Sequence, residues 1–349
     1  MGHGAVQERT EALVAWLAGR TVFVISSPPV RRLWEPALKE LRQDAGQWSV
    51  LDVPDGEAAK TPAEAERLWG EMLSRGGKRD SRLIAFGGGS VGDLAGYVAG
   101  CFLRGIEYVQ LPTTLLAQVD AAIGGKTGVN LPAGKNAVGL FHHPAEVVAD
   151  TRFLSTLPEP ELRSGLLEAV KMAILLDREL FERLEDELGL LLNGDSEALA
   201  PVVAAAARAK IGIVEGDPGE AGDRRLLNFG HTLGHALESA LGYGSLRHGE
   251  AVGYGMLFAL RLAQRRGLDP AIVARCGRLL ERCRLPELPH VAVEDVVAAM
   301  GRDKKARESG LPWVLPSALG RGEVAAGIEE SEICRELATF LTDPWHTVG

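Results

Sequence analysis

Apolar and polar positions change their spacing near residue 155. Before it, short apolar runs alternate with segments of helical periodicity, a pattern typical of a parallel sheet flanked by helices. Helical spacing over Val30–Gln43 and Pro62–Ser74 predicts two of those helices, with Thr61 capping the second. The runs predicted as buried strands are TVFVIS from Thr21, WSVLDV from Trp48, RLIAFG from Arg82, EYVQL from Glu107 and EVVAD from Glu146.

The second half is predicted to be mainly helical, because strand signals almost vanish after Pro158. A short strand at Trp313–Leu315 and a last helix from Ser331 end the pattern. The predicted fold class is an α/β domain with a parallel sheet (residues 1–155) followed by a mainly α-helical domain (residues 156–349). The predicted helices are Pro158–Leu176, Asp177–Leu192, Ser196–Val214, Phe229–Leu241, Gly249–Arg266 and Pro270–Arg284.

The composition of the chain argues against a protein that binds nucleic acid or spans a membrane. The 349 residues carry a net charge of −9, with 46% hydrophobic and 24% charged residues, and no run of Lys or Arg forms a basic patch. No apolar run approaches the ~20 residues of a membrane span. The N-terminus lacks the features of a signal peptide, and the four cysteines show no paired spacing. We expect a cytoplasmic protein that binds neither nucleic acid nor membrane.

The segment from Gly87 to Phe141 has the composition of a ligand pocket. It holds twelve glycines but only six charged side chains in 55 residues. Glycine lets the backbone approach a ligand closely, and a charge in apolar surroundings needs a partner. The run GGGSVGD follows a predicted strand and opens a helix, which suits a diphosphate. It lacks the GxGxxG spacing, so taken alone it also fits an ordinary tight turn.

Two other segments strengthen the prediction of a nucleotide site. DGEAAK, from Asp55 to Lys60, follows the second predicted strand and offers an acid to ribose hydroxyls. Thr113 and Thr114 place hydroxyl groups directly after the fourth predicted strand. The alternative interpretation is two ordinary helix caps beside the turn.

The helical half contains a candidate metal site. His231 and His235 are four residues apart and share one helix face, and His248 begins the next predicted helix. Glu168 and Lys171 share a face of an otherwise apolar helix. A carboxylate and two imidazoles with one open position are a ligand set of catalytic zinc. Spacing alone does not choose two ligands among the three histidines, and core histidines beside a buried Glu–Lys pair are the alternative.

These motifs together resemble those of the 3-dehydroquinate synthases of the sugar-phosphate cyclase superfamily. The resemblance extends from about Asp55 to Leu319, and it implies a Rossmann-like NAD-binding N-terminal domain and a helical domain that binds metal and substrate. It also implies one divalent metal, zinc or cobalt, and a homodimer. The motifs are DGEAAKT, GGGSVGDLAGYVAGCFLRG, LPTTLLAQVDAAIGGKTGVN, GKNAVGLFHHP, FLSTLP, EAVK, NFGHTLGHALE and HGEAVGYGM.

The resemblance also implies a role for individual residues. The metal ligands are Glu168, His231 and His248, and Arg104 reaches the substrate phosphate from the same or the partner subunit. The residues implied to contact NAD are Asp55, Gly56, Glu57, Lys60, Gly89, Ser90, Val91, Gly92, Asp93, Thr113, Thr114, Lys126, Lys135, Phe153 and Thr156. Those implied to act on the substrate are Arg104, Asp120, Lys126, Lys135, Asn136, Lys171, Lys210, Glu220, Arg224, Asn228 and His235.

The implied activity is the conversion of 3-deoxy-D-arabino-heptulosonate 7-phosphate to 3-dehydroquinate and phosphate. This step belongs to the shikimate pathway, which leads to chorismate and the aromatic amino acids. NAD is used catalytically: a hydroxyl is oxidised, phosphate leaves by β-elimination, the ketone is reduced again, and an intramolecular aldol reaction closes the ring.

The chain departs from the family pattern at two places. Ser26 ends the first predicted strand and Ser27 follows it, where an acidic residue is common in the family, and Pro312 stands where a Lys or Arg often meets the phosphate. Lys304 or Lys305 is the expected substitute for that cation. Three alternatives remain: a valiolone- or inosose-type cyclase, a metal-dependent NAD alcohol dehydrogenase of related fold, and a non-enzymatic cyclase relative. The retained substrate residues, Arg224 among them, favour a substrate that carries a carboxylate.

Overall fold

The computed structural model describes residues 1–132, 134–217, 222–242, 244–305, 313–325 and 327–345, apart from the side chains of residues 302–305. Glu220 and Pro312 therefore lie outside the described residues, as do the side chains of Lys304 and Lys305. The chain divides into two compact units. Unit 1 comprises Met1–Leu157 and Gly194–Ala207, and unit 2 comprises Pro158–Asn193 and Arg208–Gly349. The boundary after residue 155 stays a prediction.

Unit 1 is built on a parallel sheet of five strands in the order β2-β1-β3-β4-β7. Strands β5 and β6 form a separate antiparallel hairpin. The predicted parallel sheet is confirmed, although β7 is shorter than the predicted run from Glu146. The strands are β1 (Thr21–Ser26), β2 (Gln47–Asp52), β3 (Arg82–Gly87), β4 (Glu107–Pro112), β5 (Lys126–Leu131), β6 (Gly134–Phe141) and β7 (Glu146–Val147).

Helices cover both faces of this sheet, which explains why its central strands are continuous apolar runs. Phe23 and Ile25 of β1 pack into one apolar cluster with residues of α4 and α5. Val22 and Val24 pack into a second cluster on the opposite face, with residues of α1 and α2. The helices are α1 (Ala5–Glu8), α2 (Thr10–Leu17), α3 (Pro28–Trp34), α4 (Pro62–Ser74) and α5 (Gly89–Cys101).

The two helices predicted for this region had different outcomes. The prediction of one helix over Val30–Gln43 is wrong, because α3 ends at Trp34 and two 3₁₀ turns follow. Pro36 explains the interruption, since it lacks the N–H that would continue the helix. The prediction of α4 with its cap is confirmed, and the Thr61 hydroxyl accepts a hydrogen bond from the Glu64 N–H at 3.1 Å.

Unit 2 is mainly helical, as predicted, and the bounds of the six helices predicted between residues 158 and 284 agree with the structure within two residues. A further helix, whose expected end is Met300, continues to Lys305. Trp313 begins a strand, also as predicted, but that strand is one half of a hairpin whose second strand is not predicted. No helix of the described residues is long and apolar enough to cross a membrane. The elements are α6 (Glu159–Leu176), α7 (Arg178–Leu192), α8 (Ser196–Gly216, beginning in unit 1), α9 (His231–Leu241), α10 (His248–Arg265), α11 (Pro270–Arg282), α12 (Val293–Lys305), β8 (Trp313–Ala318), β9 (Arg321–Ala325) and α13 (Glu330–Thr342).

Candidate active site

A fully buried carboxylate lies at the centre of the candidate metal site in unit 2. Glu168 and Lys171 are one turn apart on α6, and both side chains are almost inaccessible to solvent. The Lys171 Nζ atom lies 2.5 Å from Glu168 Oε2. Glu168 Oε1 has no hydrogen-bond partner within the part of the chain that is described. A buried anionic oxygen without a partner is costly, so its surroundings should hold a further positive group.

Two imidazole nitrogens face this oxygen. His231 Nε2 lies 3.7 Å and His248 Nε2 lies 3.5 Å from Glu168 Oε1. Two ligand atoms at about 2.1 Å from one tetrahedral metal lie about 3.4 Å apart. The three atoms therefore fit a single divalent cation with little movement of the side chains.

Hydrogen bonds orient both imidazoles toward the same point. His231 Nδ1 lies 3.0 Å from the Phe229 carbonyl oxygen, and His248 Nδ1 lies 3.2 Å from Glu238 Oε2. A proton on each Nδ1 satisfies these acceptors and leaves the Nε2 lone pairs for a metal. Burial, followed by the charge of Lys171, lowers the pKa of His231 well below its ordinary value. His231 is therefore neutral, as a metal ligand must be.

Close packing of two helices brings His248 to Glu168. A Cβ atom on Gly249 would lie 2.0 Å from the Ser164 carbonyl oxygen, so only glycine permits this approach of α10 to α6. The Gly249 N–H also donates a hydrogen bond to Ser164 Oγ at 3.0 Å. The glycine after His248 is thus a structural requirement of the site.

His235 lies beside these ligands but is exposed. Its ring centroid is 5.3 Å from that of His231 and 5.8 Å from that of His248. The nitrogens of the three histidines lie within 4.8 Å of one another, so a three-histidine site is also geometrically feasible. The unpartnered oxygen of Glu168 favours the set Glu168, His231 and His248.

The other predicted substrate residues of unit 2 include two buried cations. Lys210 on α8 and Arg224 are 7% and 2% exposed. Arg224 lies in the 3₁₀ helix Asp223–Asn228, whose last residue is the predicted substrate residue Asn228. Asp217 Oδ2 fixes the start of this helix by accepting hydrogen bonds from the backbone N–H groups of Gly222 and Arg224. Buried cations are well suited to an anionic substrate, because solvent screens them little.

In unit 1 the glycine-rich turn lies at the carboxyl end of β3. Gly88 precedes α5, and a Cβ atom there would lie 2.9 Å from Thr114 Cγ2. No described side chain caps the helix, so its first N–H groups are left for another acceptor. This turn is also where the strand order reverses, between β1 and β3. The predicted cofactor residues Gly89, Ser90, Val91, Gly92 and Asp93 begin α5, and Thr113 and Thr114 follow β4.

Glu57 joins three segments near this turn. It lies in the 3₁₀ helix Gly56–Ala59, which Asp55 precedes. Its carboxylate accepts hydrogen bonds from Ser90 Oγ at 2.7 Å and from Asn130 Nδ2 at 2.8 Å. Burial opposes ionisation, but the charge of Lys60 and these hydrogen bonds outweigh it and lower the pKa of Glu57. Glu57 is therefore a carboxylate that can accept further hydroxyl groups.

Lys60 connects the predicted cofactor residues with a predicted substrate residue. Its buried Nζ atom donates to Asp93 Oδ2 at 2.7 Å and to Asn136 Oδ1 at 2.6 Å. Asn136 has a left-handed backbone with φ 51°, and its N–H donates to Asn130 Oδ1 at 2.8 Å. Asn130 thus fixes the positions of both Glu57 and Asn136 through hydrogen bonds.

The remaining predicted residues of unit 1 occupy different environments. Arg104 is exposed on a left-handed backbone with φ 73°, a conformation that non-glycine residues adopt at a cost of about 1–3 kcal/mol. Asp120 is half-buried in the π-helical turn Ala117–Ala121. Lys126 is exposed at the start of β5, and Lys135 is half-buried on β6.

Phe153 and Thr156 lie in the 3₁₀ helix Thr151–Thr156. The Phe153 ring is buried, with its centroid 5.1 Å from that of Trp34 and 5.5 Å from that of Phe86. Thr156 Oγ1 accepts a hydrogen bond from Trp34 Nε1 at 2.9 Å. A contact between Phe153 and the cofactor would therefore come from its backbone, and both roles stay predictions.

Sequence reasoning did not single out Asn130 and Glu238. Glu238 has a recognisable signal, because it follows His231 and His235 by seven and three residues on the same helix face. Asn130 is a polar residue within a strand that shows no regular alternation. Its partners become evident only when the β5–β6 hairpin is seen beside Glu57.

Two family models match consecutive parts of this chain. The model for the N-terminal part of 3-dehydroquinate synthase matches residues 50–164, and the model for the C-terminal part matches residues 165–306. The chain belongs to the 3-dehydroquinate synthase family. The 3-dehydroquinate synthase of Geobacter metallireducens is 43% identical over 318 residues, which cover 90% of this chain and 88% of that protein. The resemblance predicted from the motifs is confirmed.

Solved structures of other cyclases share the fold of this family member. A 2-epi-5-epi-valiolone synthase from Streptomyces hygroscopicus subsp. jinggangensis 5008, with NAD+ and Zn2+ bound, matches with a TM-score of 0.87 and 31% identity, over 95% of this chain and 93% of that one. A 2-deoxy-scyllo-inosose synthase complexed with carbaglucose-6-phosphate, NAD+ and Co2+ matches with a TM-score of 0.85 and 26% identity, over 97% and 95%. The predicted fold class is confirmed.

Proposed function

We propose that this family member converts 3-deoxy-D-arabino-heptulosonate 7-phosphate to 3-dehydroquinate and phosphate, with NAD and one divalent metal as cofactors. The observation that carries the proposal is the convergence of Glu168 Oε1, His231 Nε2 and His248 Nε2 in a chain of this family. The reaction places the protein in the shikimate pathway. We also propose that it is a cytoplasmic homodimer that binds neither nucleic acid nor membrane.

The residues of unit 2 would hold the metal and compensate the substrate's charge. When bound, the metal polarises a ring hydroxyl, and NAD accepts a hydride and returns it. Glu168, His231 and His248 would be the ligands. Arg224 and Lys210 would bind the anionic groups of the substrate, and their burial strengthens that attraction in a chain of net charge −9. The further substrate residues of this unit would be Lys171, Glu220, Asn228 and His235.

The residues of unit 1 would hold the dinucleotide and further groups of the substrate. The start of α5, from Gly89 to Asp93, would bind the diphosphate through the N–H groups of Gly89, Ser90 and Val91, because a helix N-terminus favours anions. The next N–H group, of Gly92, already donates to the Gly88 carbonyl oxygen at 3.0 Å. Glu57 would accept ribose hydroxyls. Asp120, Lys126, Lys135 and Asn136 would contact substrate. Arg104 would reach the phosphate, and its exposure makes it available to a partner subunit.

Product identification tests the proposed function. The protein should be incubated with NAD, Zn2+ or Co2+, and the heptulosonate phosphate, and the product analysed by mass spectrometry. We expect 3-dehydroquinate, one phosphate released per product, and no net absorbance change at 340 nm. Preference for a heptulose phosphate without a carboxylate would instead assign a valiolone-type cyclase. Continuous growth at 340 nm would indicate a dehydrogenase, and no turnover with either metal would indicate a non-enzymatic protein.

Replacing Glu238 with glutamine should weaken metal binding without removing a ligand. The His248 Nδ1–H would lose its charged acceptor, and loss of such an outer partner costs about 10–100-fold in metal affinity. Competition with a chelator measures the change. Glu187→Gln is the control, because that carboxylate also loses an ion pair, with Arg183 at 2.8 Å, but on an exposed helix surface. Equal metal affinity in the two variants would contradict the role of Glu238.

Replacing Asn130 with alanine should lower turnover by about 10-fold, because a hydrogen bond to a charged group contributes about 1.5–3 kcal/mol. Glu57 and the Asn136 N–H would both lose a partner, so NAD affinity should also fall. Fluorescence titration with NAD and steady-state rates measure the two effects. Asn193→Ala, at an exposed position after α7, is the control. An unchanged NAD affinity in Asn130→Ala would show that Glu57 does not depend on Asn130.

A further inference from the structure

A buried ion pair joins two helices beside the proposed metal centre. Glu250 lies in the first turn of α10, and its side chain is 3% exposed. Its Oε1 atom accepts hydrogen bonds from Arg163 of α6, from Nε at 3.2 Å and from Nη2 at 2.8 Å. Because the guanidinium is planar and rigid, these two bonds fix the direction of approach as well as its distance. Neither residue is among the proposed ligands or substrate contacts.

The same carboxylate also holds the backbone that carries His248. Glu250 Oε2 accepts a hydrogen bond from the Arg247 N–H at 2.9 Å. This bond satisfies a backbone donor at the beginning of α10, as the glutamate of a capping box does. Glu250 therefore fixes the chain immediately before His248 and, through Arg163, attaches that turn to α6.

Two further contacts join the same parts of the two helices. The Gly249 N–H donates to Ser164 Oγ at 3.0 Å, and Arg247 Nε donates to Glu161 Oε1 at 2.7 Å. Ser164 precedes the proposed ligand Glu168 by four residues, so the two lie one turn apart on the same face of α6. These attachments lie within two turns of a proposed ligand on either helix.

The separation of two proposed ligand atoms depends on this attachment. His248 Nε2 lies 3.5 Å from Glu168 Oε1, close to the separation of about 3.4 Å that one tetrahedral metal requires. Metal–ligand distances vary by only about 0.2 Å between sites. A small displacement of α10 along α6 would therefore move the imidazole out of bonding distance. The rigidity of the joint between the helices thus has a direct effect on metal affinity.

We propose that Glu250 and Arg163 are positioning residues of the metal centre. Their ion pair holds α10 at the distance from α6 at which His248 and Glu168 bind one cation. The role differs from that of Glu238, which orients the imidazole ring of His248, because Glu250 fixes the backbone that carries the ring. This inference rests on the metal centre proposed above.

Competition between the protein and a chelator for Zn2+, without NAD or substrate, tests the proposal. Glu250→Gln keeps an acceptor for the Arg247 N–H but loses the ion pair, and it should weaken zinc affinity by about 10–100-fold, as other losses around a metal ligand do. Arg163→Gln leaves the carboxylate in place but removes its attachment to α6. It should weaken zinc affinity by a similar factor.

The two variants separate positioning from a simple effect of charge. Removing a carboxylate near the metal weakens the attraction of a cation, whereas removing a guanidinium strengthens it. Charge alone therefore predicts tighter zinc binding in Arg163→Gln, but a lost attachment predicts weaker binding in both variants. The double variant Arg163→Met/Glu250→Gln removes both charges together, so it should fold even if a single variant does not. Its zinc affinity should remain low.

Glu336→Gln is the matched control, because it also breaks a buried ion pair of α10. Glu336 is 2% exposed, and its Oε2 atom lies 3.3 Å from Arg261 Nε. Arg261 follows His248 by 13 residues on α10, which is about 20 Å along the helix. Glu336→Gln should lower the denaturation midpoint, as Glu250→Gln does, but it should leave zinc affinity within about 3-fold of that of the unsubstituted protein.

The possible results separate this inference from the proposed function. Normal zinc affinity in Glu250→Gln, tighter binding in Arg163→Gln, recovered affinity in the double variant, or an equal loss in Glu336→Gln would each contradict the inference. A protein that shows the expected zinc affinities but makes a different product would overturn the proposed function and leave the inference intact. Absence of zinc binding by the unsubstituted protein would overturn the metal centre and the inference with it.

Discussion

Replacing Glu168 with glutamine should remove the bound metal and lower turnover by about 1,000-fold. The variant loses the only carboxylate among the proposed ligands, and a neutral amide is a weak ligand for zinc. It also removes the carboxylate whose Oε2 atom lies 2.5 Å from the buried Lys171 ammonium. Removing one partner of a buried pair costs about 3–5 kcal/mol. Metal content by mass spectrometry and the free energy of unfolding by denaturant titration measure the two effects.

His248→Ala separates the loss of metal from the loss of stability. His248 is a half-buried residue at the start of α10, so its truncation should affect metal binding and turnover with little loss of unfolding free energy. The double variant Glu168→Gln/Lys171→Met should recover stability but not metal, because both charges of the buried pair are then removed together. Stoichiometric metal in Glu168→Gln would contradict the proposed ligand set.

Replacing Lys126 with alanine should lower turnover by about 100–1,000-fold, the cost of removing one group that stabilises developing charge. The side chain is exposed at the start of β5, so the free energy of unfolding should change by less than about 0.5 kcal/mol. Steady-state rates and denaturant titration measure the two quantities. Lys126→Arg keeps the charge and should retain part of the activity.

Lys78→Ala is the matched control, because that lysine is also exposed in unit 1 and has no predicted role. It should keep full activity. Near-normal turnover in Lys126→Ala would show that the lysine does not act in the reaction. A large loss of stability in the same variant would instead assign it a structural role.

The sequence predicts the central sheet well, because strands β1 to β4 lie between two helical layers. Their continuous apolar runs therefore coincide with the observed strands within one residue. The β5–β6 hairpin has no such pattern: Gly128 and Gly139 lie opposite each other, and Val138 and Phe141 are exposed. Its register depends on packing against α5, which sequence periodicity does not report.

The candidate site shows a similar division. The spacing of His231 and His235 predicts a shared helix face, but the choice between metal ligand and substrate contact depends on tertiary contacts. Those contacts are the approach of Gly249 to Ser164 and the orienting carboxylate of Glu238. The spacing of residues along one helix reports neither contact, because each contact joins two different helices. Family resemblance supplied the ligand set, and the geometry around Glu168 Oε1 supports it.

The most direct test of the proposed metal centre is anomalous diffraction at the zinc absorption edge from crystals of the zinc-loaded protein. We expect one strong peak at about 2.0–2.2 Å from Glu168 Oε1, His231 Nε2 and His248 Nε2. A peak bound by His235 in place of Glu168, or no peak near α6, would contradict the proposed centre.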